Sequence, residues 1–203
     1  MRDFRMPIPP RSDSGDALVA KAASVDEQGN PDGFMPASFF KPEVLQGGMS
    51  RLVVSLAAVD LERVHHALIQ ALEPPYKVLY VKMVDRAAGT QLPKPERRVA
   101  VEIPRDRLMR NLMRYRKLVY TDGRHQLWVR GAQGEQLILE ENGVVFIYPD
   151  DFLFRDVLQA QGLGEGDGQT MADRDYLRVN FDAACDAMEA GLIDTLHMLP
   201  WEG

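Results

Sequence analysis

The sequence predicts an α+β fold: a largely antiparallel sheet with a split βαβ-like core over about residues 51–130. Three observations predict it. Strand-like runs alternate with two helix-period segments in the order strand–helix–strand–strand–helix–strand. Asn142-Gly143 joins two further apolar runs and adds a hairpin to the sheet. Beyond Asp150, apolar residues recur at helical spacing and supply C-terminal helices. At 203 residues, 45% hydrophobic and 27% charged, the chain is long enough and apolar enough to bury such a core.

Residues 1–48 are expected to form an extended N-terminal arm that packs on the main domain. Pro7, Pro9 and Pro10 stiffen its start, as a polyproline II leader or a Pro-rich ligand for an aromatic groove. Turn residues fill positions 12–15 and 28–33, and residues 17–24 between them read as a strand. Phe34, Phe39 and Phe40 are too apolar for a free tail, and Gly47-Gly48 reads as the joint. Residues 49–203 then make one α+β domain.

Within that domain a strand over 52–57 leads to a helix with Asp60 as its cap. Leu61, Val64, His65, Leu68, Ile69 and Leu72 share one face of this helix, and Pro74-Pro75 stops it. Residues 76–84 are apolar on both faces, as in a central strand. After a loop containing Gly89, Pro93 and Pro95, residues 97–103 alternate: Val99, Val101 and Ile103 on one side, Arg98 and Glu102 on the other. Pro104 suits a first helical position, and Leu108, Met109, Leu112 and Met113 give the second apolar stripe. Strands are expected near 118–120, 126–130, 136–140 and 144–148, with a looser hairpin at 131–134. Asp150 or Asp151 caps a helix to 161, with Gly162 as its stop. Residues 164–168 read as a link. A final helix carries Phe181, Ala184, Cys185 and Met188 after an Asn180 cap and breaks at Gly191; residues 192–199 read as a last short helix, with Trp201 as an anchor.

Composition narrows the function classes. A net charge of −6 argues against a whole-surface nucleic-acid binder. A lone cysteine, Cys185, forms no intrachain disulfide and fits a reducing compartment. The start of the chain lacks the apolar core of a secretory signal, and no apolar run is long enough to span a bilayer. The expectation is a soluble, cytoplasmic protein without a membrane partner.

Charge is the most unusual local feature. Between positions 94 and 117 lie nine basic residues: Lys94, Arg97, Arg98, Arg105, Arg107, Arg110, Arg114, Arg116 and Lys117. Only Glu96, Glu102 and Asp106 oppose them, so this segment carries +6 and the rest of the chain −12. Arg107, Arg110, Arg114 and Lys117 fall on one helical stripe. Arginine's planar fork matches carboxylates and phosphates, so the stripe is a candidate site for an acidic protein surface, an anion or nucleic acid. The plain alternative is a solvated face whose charges pair within the fold.

Other chemistry is weakly represented. His65 and His66 are candidate general bases, but His65 sits on the apolar face, where packing is the commoner role. Tyr76 and Tyr80, or Phe146 and Tyr148, share strand faces as RNA-stacking aromatics do, yet the 97–103 strand carries none; core packing explains them better. Cys185 reads as a buried thiol. Metal-ligand spacings, phosphate-loop and nucleophile-elbow motifs are missing, so no metal or cofactor is expected. Aligning residues 165–168 with a calcium loop puts Leu163 and Arg174 at ligand positions, which rules it out. Glu140 and Glu141, as strand neighbours, should face opposite ways and not cooperate, and Asp150-Asp151 is explained by capping. The resulting expectation is a non-enzymatic protein-binding module, of adaptor or immunity and inhibitor type, using the arginine-rich helix face. An anion or nucleic-acid binder, or an enzyme with a site near His65 and His66, is the alternative.

Overall fold

Residues 19–86 and 90–202 are described in a computed structural model of the chain. The Pro-rich leader, the 12–15 turn and Gly89 lie outside them. The elements run β1 (Ala22–Ser24), β2 (Phe39–Val44), β3 (Ser50–Ser55), α1 (Ala58–Ala71), β4 (Tyr76–Asp85), β5 (Thr90–Ile103), α2 (Arg105–Arg114) and α3 (Arg116–Thr121). They continue with β6 (His125–Arg130), β7 (Gln136–Leu139), β8 (Val145–Tyr148), α4 (Phe152–Ala160), β9 (Tyr176–Arg178), α5 (Ala184–Thr195) and β10 (Leu199–Pro200).

Eight strands form one sheet in the order β10-β5-β4-β6-β7-β8-β3-β2, every neighbouring pair antiparallel, and β1 pairs with β9 as a separate ribbon. The fold is therefore α+β with a large antiparallel sheet. Its strand order is not that of a split βαβ unit, which would set β3 beside β5 and β6. Instead β6 pairs with β4 and not with β3, so β4 lies between β5 and β6. The β6-β7-β8 meander then lies between β4 and β3.

The alternation of side chains gives the sheet two unlike faces. One carries Leu52, Val54, Val78, Leu127, Val129, Leu137, Leu139 and Ile147 and packs against apolar residues from all five helices. The other carries Val53, Ile138 and Phe146, covered by Ala22, Phe34, Met171 and Tyr176 from the β1–β9 region. A buried leucine or isoleucine contributes about 1.5–3 kcal/mol, so the helical face dominates stability.

Several elements differ from expectation for identifiable reasons. Gly47-Gly48 is no joint but the tight turn of the β2–β3 hairpin, so β2 belongs to the main sheet. Ala57 occupies the cap position of α1, while Asp60 in the first turn accepts from Ser38 and Arg63 at 2.7 Å each. Pro104 precedes α2 rather than opening it. The run 118–120 is helical, in α3, burying Leu118, Val119 and Tyr120 in the core. The Asn142-Gly143 hairpin forms, but only Gly143 has positive φ, at 89°; a Gly143 N–H to Glu140 O bond and a Glu140 N–H to Val144 O bond close it. Gly134, at φ 101°, closes the preceding hairpin the same way. Asp151 does cap α4, accepting from Leu153 N at 2.8 Å, and Gly162 follows at φ 85°.

In the C-terminal region α5 runs through Gly191 to Thr195. A Cβ at 191 would lie 2.7 Å from the Tyr115 hydroxyl, so this glycine permits close packing instead of breaking the helix. His197 at φ 54° then turns the chain, and the Met198 N–H bonds to Ile193 O, which ends the helix before β10. Asn180 does not cap α5; its amide donates to Ala20 O at 2.6 Å, and Asp182 accepts from Ala184 N.

Candidate interaction surfaces

The predicted cationic stripe is divided. Tyr115, buried against α5, ends α2, and Lys117 lies on the next helix, α3. Arg107 donates from Nε and Nη2 to the Thr195 carbonyl, at 3.2 and 2.6 Å, so it caps the C-terminal end of α5. Its neighbour Arg105 donates to Leu72 O at 3.0 Å and to the Tyr76 hydroxyl at 3.1 Å, doing the same for α1. A cation there satisfies an orphan carbonyl and faces the negative end of the helix dipole. Lys117 pairs with Asp182, and Arg116 with Glu62 at 2.7 Å. Arg110 pairs with Asp106 at 2.7 Å across one exposed turn, and the Arg114 guanidinium lies 5.4 Å from the Tyr115 ring centroid. Arg110 and Arg114, one turn apart on α2, are exposed, as is Met113 at 62%.

The histidines are interior groups. His65 is fully buried, with Nδ1 3.0 Å from the Tyr120 hydroxyl, and burial pulls its pKa down to about 3. Half-buried His66 meets the edge of the same Tyr120 ring, 5.5 Å between centroids. His125 stacks on Tyr80 at 4.7 Å, and burial holds it well below the ordinary histidine range. Neither His65 nor His125 can meet a substrate without opening the core. Cys185 is buried as well, and burial pushes its thiol up to about 12. Tyr76 and Tyr80 are core residues on the helical face, and Phe146 is a core residue on the other face, where the Arg51 guanidinium lies 3.8 Å from its ring centroid.

The acidic pair behaves differently from expectation. Because β7 ends at Leu139, Glu140 and Glu141 fall in the turn instead of on opposite faces of a strand, and their carboxyls influence one another. Burial, and then the Glu141 charge, push Glu140 up to about 7. Burial also raises Glu141, but Gln126 at 2.7 Å and Arg178 at 2.8 Å outweigh it and hold that carboxylate below its usual range. With Tyr176 donating at 3.0 Å, these bonds tie β9 to the β7–β8 hairpin.

A buried cluster that sequence reasoning missed centres on Arg124, only 1% exposed. It donates to fully buried Asp122 at 2.8 Å and to Asp186 at 2.6 Å, and Glu189 stands 3.5 Å away. Only the Asp122-Gly123-Arg124 turn hints at it: a Cβ at Gly123 would lie 2.3 Å from Lys21 O, where the N-terminal segment crosses. Lys21 itself is buried and donates to Val119 O at 3.0 Å.

The remaining cations of the basic segment, Lys94, Arg97 and Arg98, lie on β5 and line a shallow groove of about 330 Å³ with Trp201. Among the described residues, no three His, Cys, Asp or Glu side chains gather into a metal cage, and no helix is long and apolar enough to cross a membrane. No family model, curated protein or solved structure matches the chain.

Proposed function

We propose that this chain is a non-enzymatic protein-binding module, of adaptor or inhibitor kind, that meets an acidic partner surface through α2. The observation that carries the reading is Met113, 62% exposed on the same helix as the exposed Arg110 and Arg114. An exposed methionine with exposed arginines on the same helix has the composition of interface cores, where Met and Arg are enriched. Arg107 holds α2 in place against the end of α5. The Arg110–Asp106 pair is exposed and therefore weak, so a partner's carboxylate can replace it.

The test is a double charge reversal, Arg110→Glu with Arg114→Glu, read by quantitative pull-down beside thermal unfolding. Loss of a specific partner with an unchanged melting temperature supports the reading. An unchanged partner list overturns it. Tight oligonucleotide binding that falls steeply with salt would transfer the arginines to a nucleic-acid role.

A further inference from the structure

We infer that residues 19–37 form a strap that lifts off an otherwise intact domain, with the buried Lys21 side chain as its pH-sensitive latch. The proposal does not depend on α2 as a binding face.

The way this segment is attached supplies the first argument. β1 pairs with β9, and their ribbon shares no ladder with the eight-stranded sheet. The strap ends at Ser38, which is fixed to the start of α1: its hydroxyl donates to Asp60 at 2.7 Å and accepts from Ala57 N at 3.0 Å. Within residues 19–37 only Lys21, Ala22 and Ser24 are buried. Ala22 and half-buried Phe34 are the strap's apolar contribution to the cover over Val53, Ile138 and Phe146. A methyl group and part of a ring are little apolar burial for a segment of this length, which places it at the low-stability end of the fold.

The remaining ties run to β9 and its flanks. Val179 N–H bonds to Lys21 O and Val25 N–H to Asp175 O, both at 3.0 Å. The Asn180 amide donates to Ala20 O at 2.6 Å, and Arg174 pairs with Asp32 and donates to Ser24 at 2.7 Å. β9 is itself held to the β7–β8 hairpin through Glu141, by Tyr176 and Arg178. The seam that opens therefore lies between β1 and β9, and β9 stays with the body.

Lys21 supplies the second argument. Its backbone crosses Gly123, and its side chain runs inward, donating from Nζ to Val119 O at 3.0 Å and to His125 O at 3.4 Å. These bonds latch the strap to α3 and β6. The residue is 1% exposed, and its ammonium forms no ion pair among the described residues. Asp122 in the α3–β6 turn and Glu141 in the β7–β8 turn attract it from a distance; His65 on α1 and His125 on β6 are its other titratable neighbours. Burial outweighs the two carboxylates and pulls the amine down to about 8.

Lifting the strap returns Lys21 to water and to the ordinary lysine range, so the docked strap holds this proton less tightly than the open one. Docking has the full benefit of the neutral amine above the ordinary lysine value, and that benefit is lost as pH falls through about 8. The opening equilibrium should fall about tenfold between pH 7 and pH 9. Glu140, beside Glu141, is raised to about 7 and titrates nearby, so Glu140→Gln separates its effect.

The test is hydrogen exchange read by mass spectrometry on the full chain at pH 7, 8 and 9, each rate divided by the intrinsic chemical rate at that pH. The peptides that report are those carrying the Val25 and Val179 N–H groups, which bond across the seam; peptides from β6, β7 and β8 are the internal reference. The seam peptides should open far more readily than the reference, and their opening should fall about tenfold from pH 7 to pH 9 in the wild type and in Glu140→Gln alike. Lys21→Met should remove that step and slow seam exchange at pH 7, with circular dichroism unchanged. Seam peptides that exchange only as the reference does, a wild type without the pH step, or a step that persists in Lys21→Met would overturn the inference. If Lys21→Met does not fold, the wild-type and Glu140→Gln series decides the matter.

Discussion

In α2 and α3 most cations of the basic segment bond to neighbouring elements, with Arg110 and Arg114 left exposed; along β5, Lys94 and Arg98 line an open groove. Arg105 and Arg107 end on the carbonyls of Leu72 and Thr195, and Arg116 and Lys117 on Glu62 and Asp182. Lys94 and Arg98, from the same run of sequence, border a groove beside Trp201. Elements packed among helix ends find orphan carbonyls and acidic side chains within reach, whereas β5 is covered on its outer side only by the two-residue strand β10. Local charge density therefore says little about availability: the neighbours decide whether a guanidinium holds the fold together or stays exposed.

The largest effect that would sharpen this contrast lies deeper still. Arg124→Leu leaves Asp122 buried without its cation, and breaking a buried pair in this way costs about 3–5 kcal/mol. Urea unfolding measures it, and a loss below about 1 kcal/mol would remove this cluster as an anchor of α5.

Next comes the direct comparison. Arg107→Ala should cost about 1–2 kcal/mol, because it leaves the Thr195 carbonyl at the α5 terminus without its donor. Lys94→Ala and Arg98→Ala should each stay within about 0.5 kcal/mol, as surface changes do. Equal losses in the two regions would erase the distinction drawn between them.

The smallest effect is pH dependence, where the interior groups oppose one another. His65 and His125 are held low by burial, so their stabilising contribution is complete above the ordinary histidine value and is lost as pH falls below it. Glu140 is raised to about 7, so its contribution is complete below the ordinary carboxyl value and is lost as pH rises through 7. His125→Phe, which keeps a ring against Tyr80, should flatten the acid side of the stability profile between pH 6.5 and 5. Glu140→Gln should raise stability at pH 8 by on the order of 1 kcal/mol and change little at pH 5. Urea midpoints across that range check both, and an unchanged profile in either variant would show that the group titrates as it does in the unfolded chain.

Much of the architecture was legible from pattern. The apolar face from Leu61 to Leu72 became α1, and Asp151 and Gly162 marked the ends of α4. Short apolar runs were ambiguous. Leu118, Val119 and Tyr120 suit a strand by propensity, but burying all three beside α1 and α5 selects a helix. Gly191 reads as a breaker until Tyr115 is known to press against it. The Lys77–Arg130 neighbourhood was illegible for the same reason: the two residues are far apart in sequence, and only the pairing of β4 with β6 sets them side by side.

By itself the sequence determined the α+β class, the apolar faces, most turn positions and the concentration of charge between Lys94 and Lys117. These depend on neighbours within a turn of helix or a few residues of strand, where spacing alone sets geometry. The tertiary structure alone decided the strand order, the burial of His125 and which cations stay exposed. Those outcomes depend on distant contacts: the carbonyl that holds Arg107 comes from 88 residues further along the chain, and no local pattern encodes it.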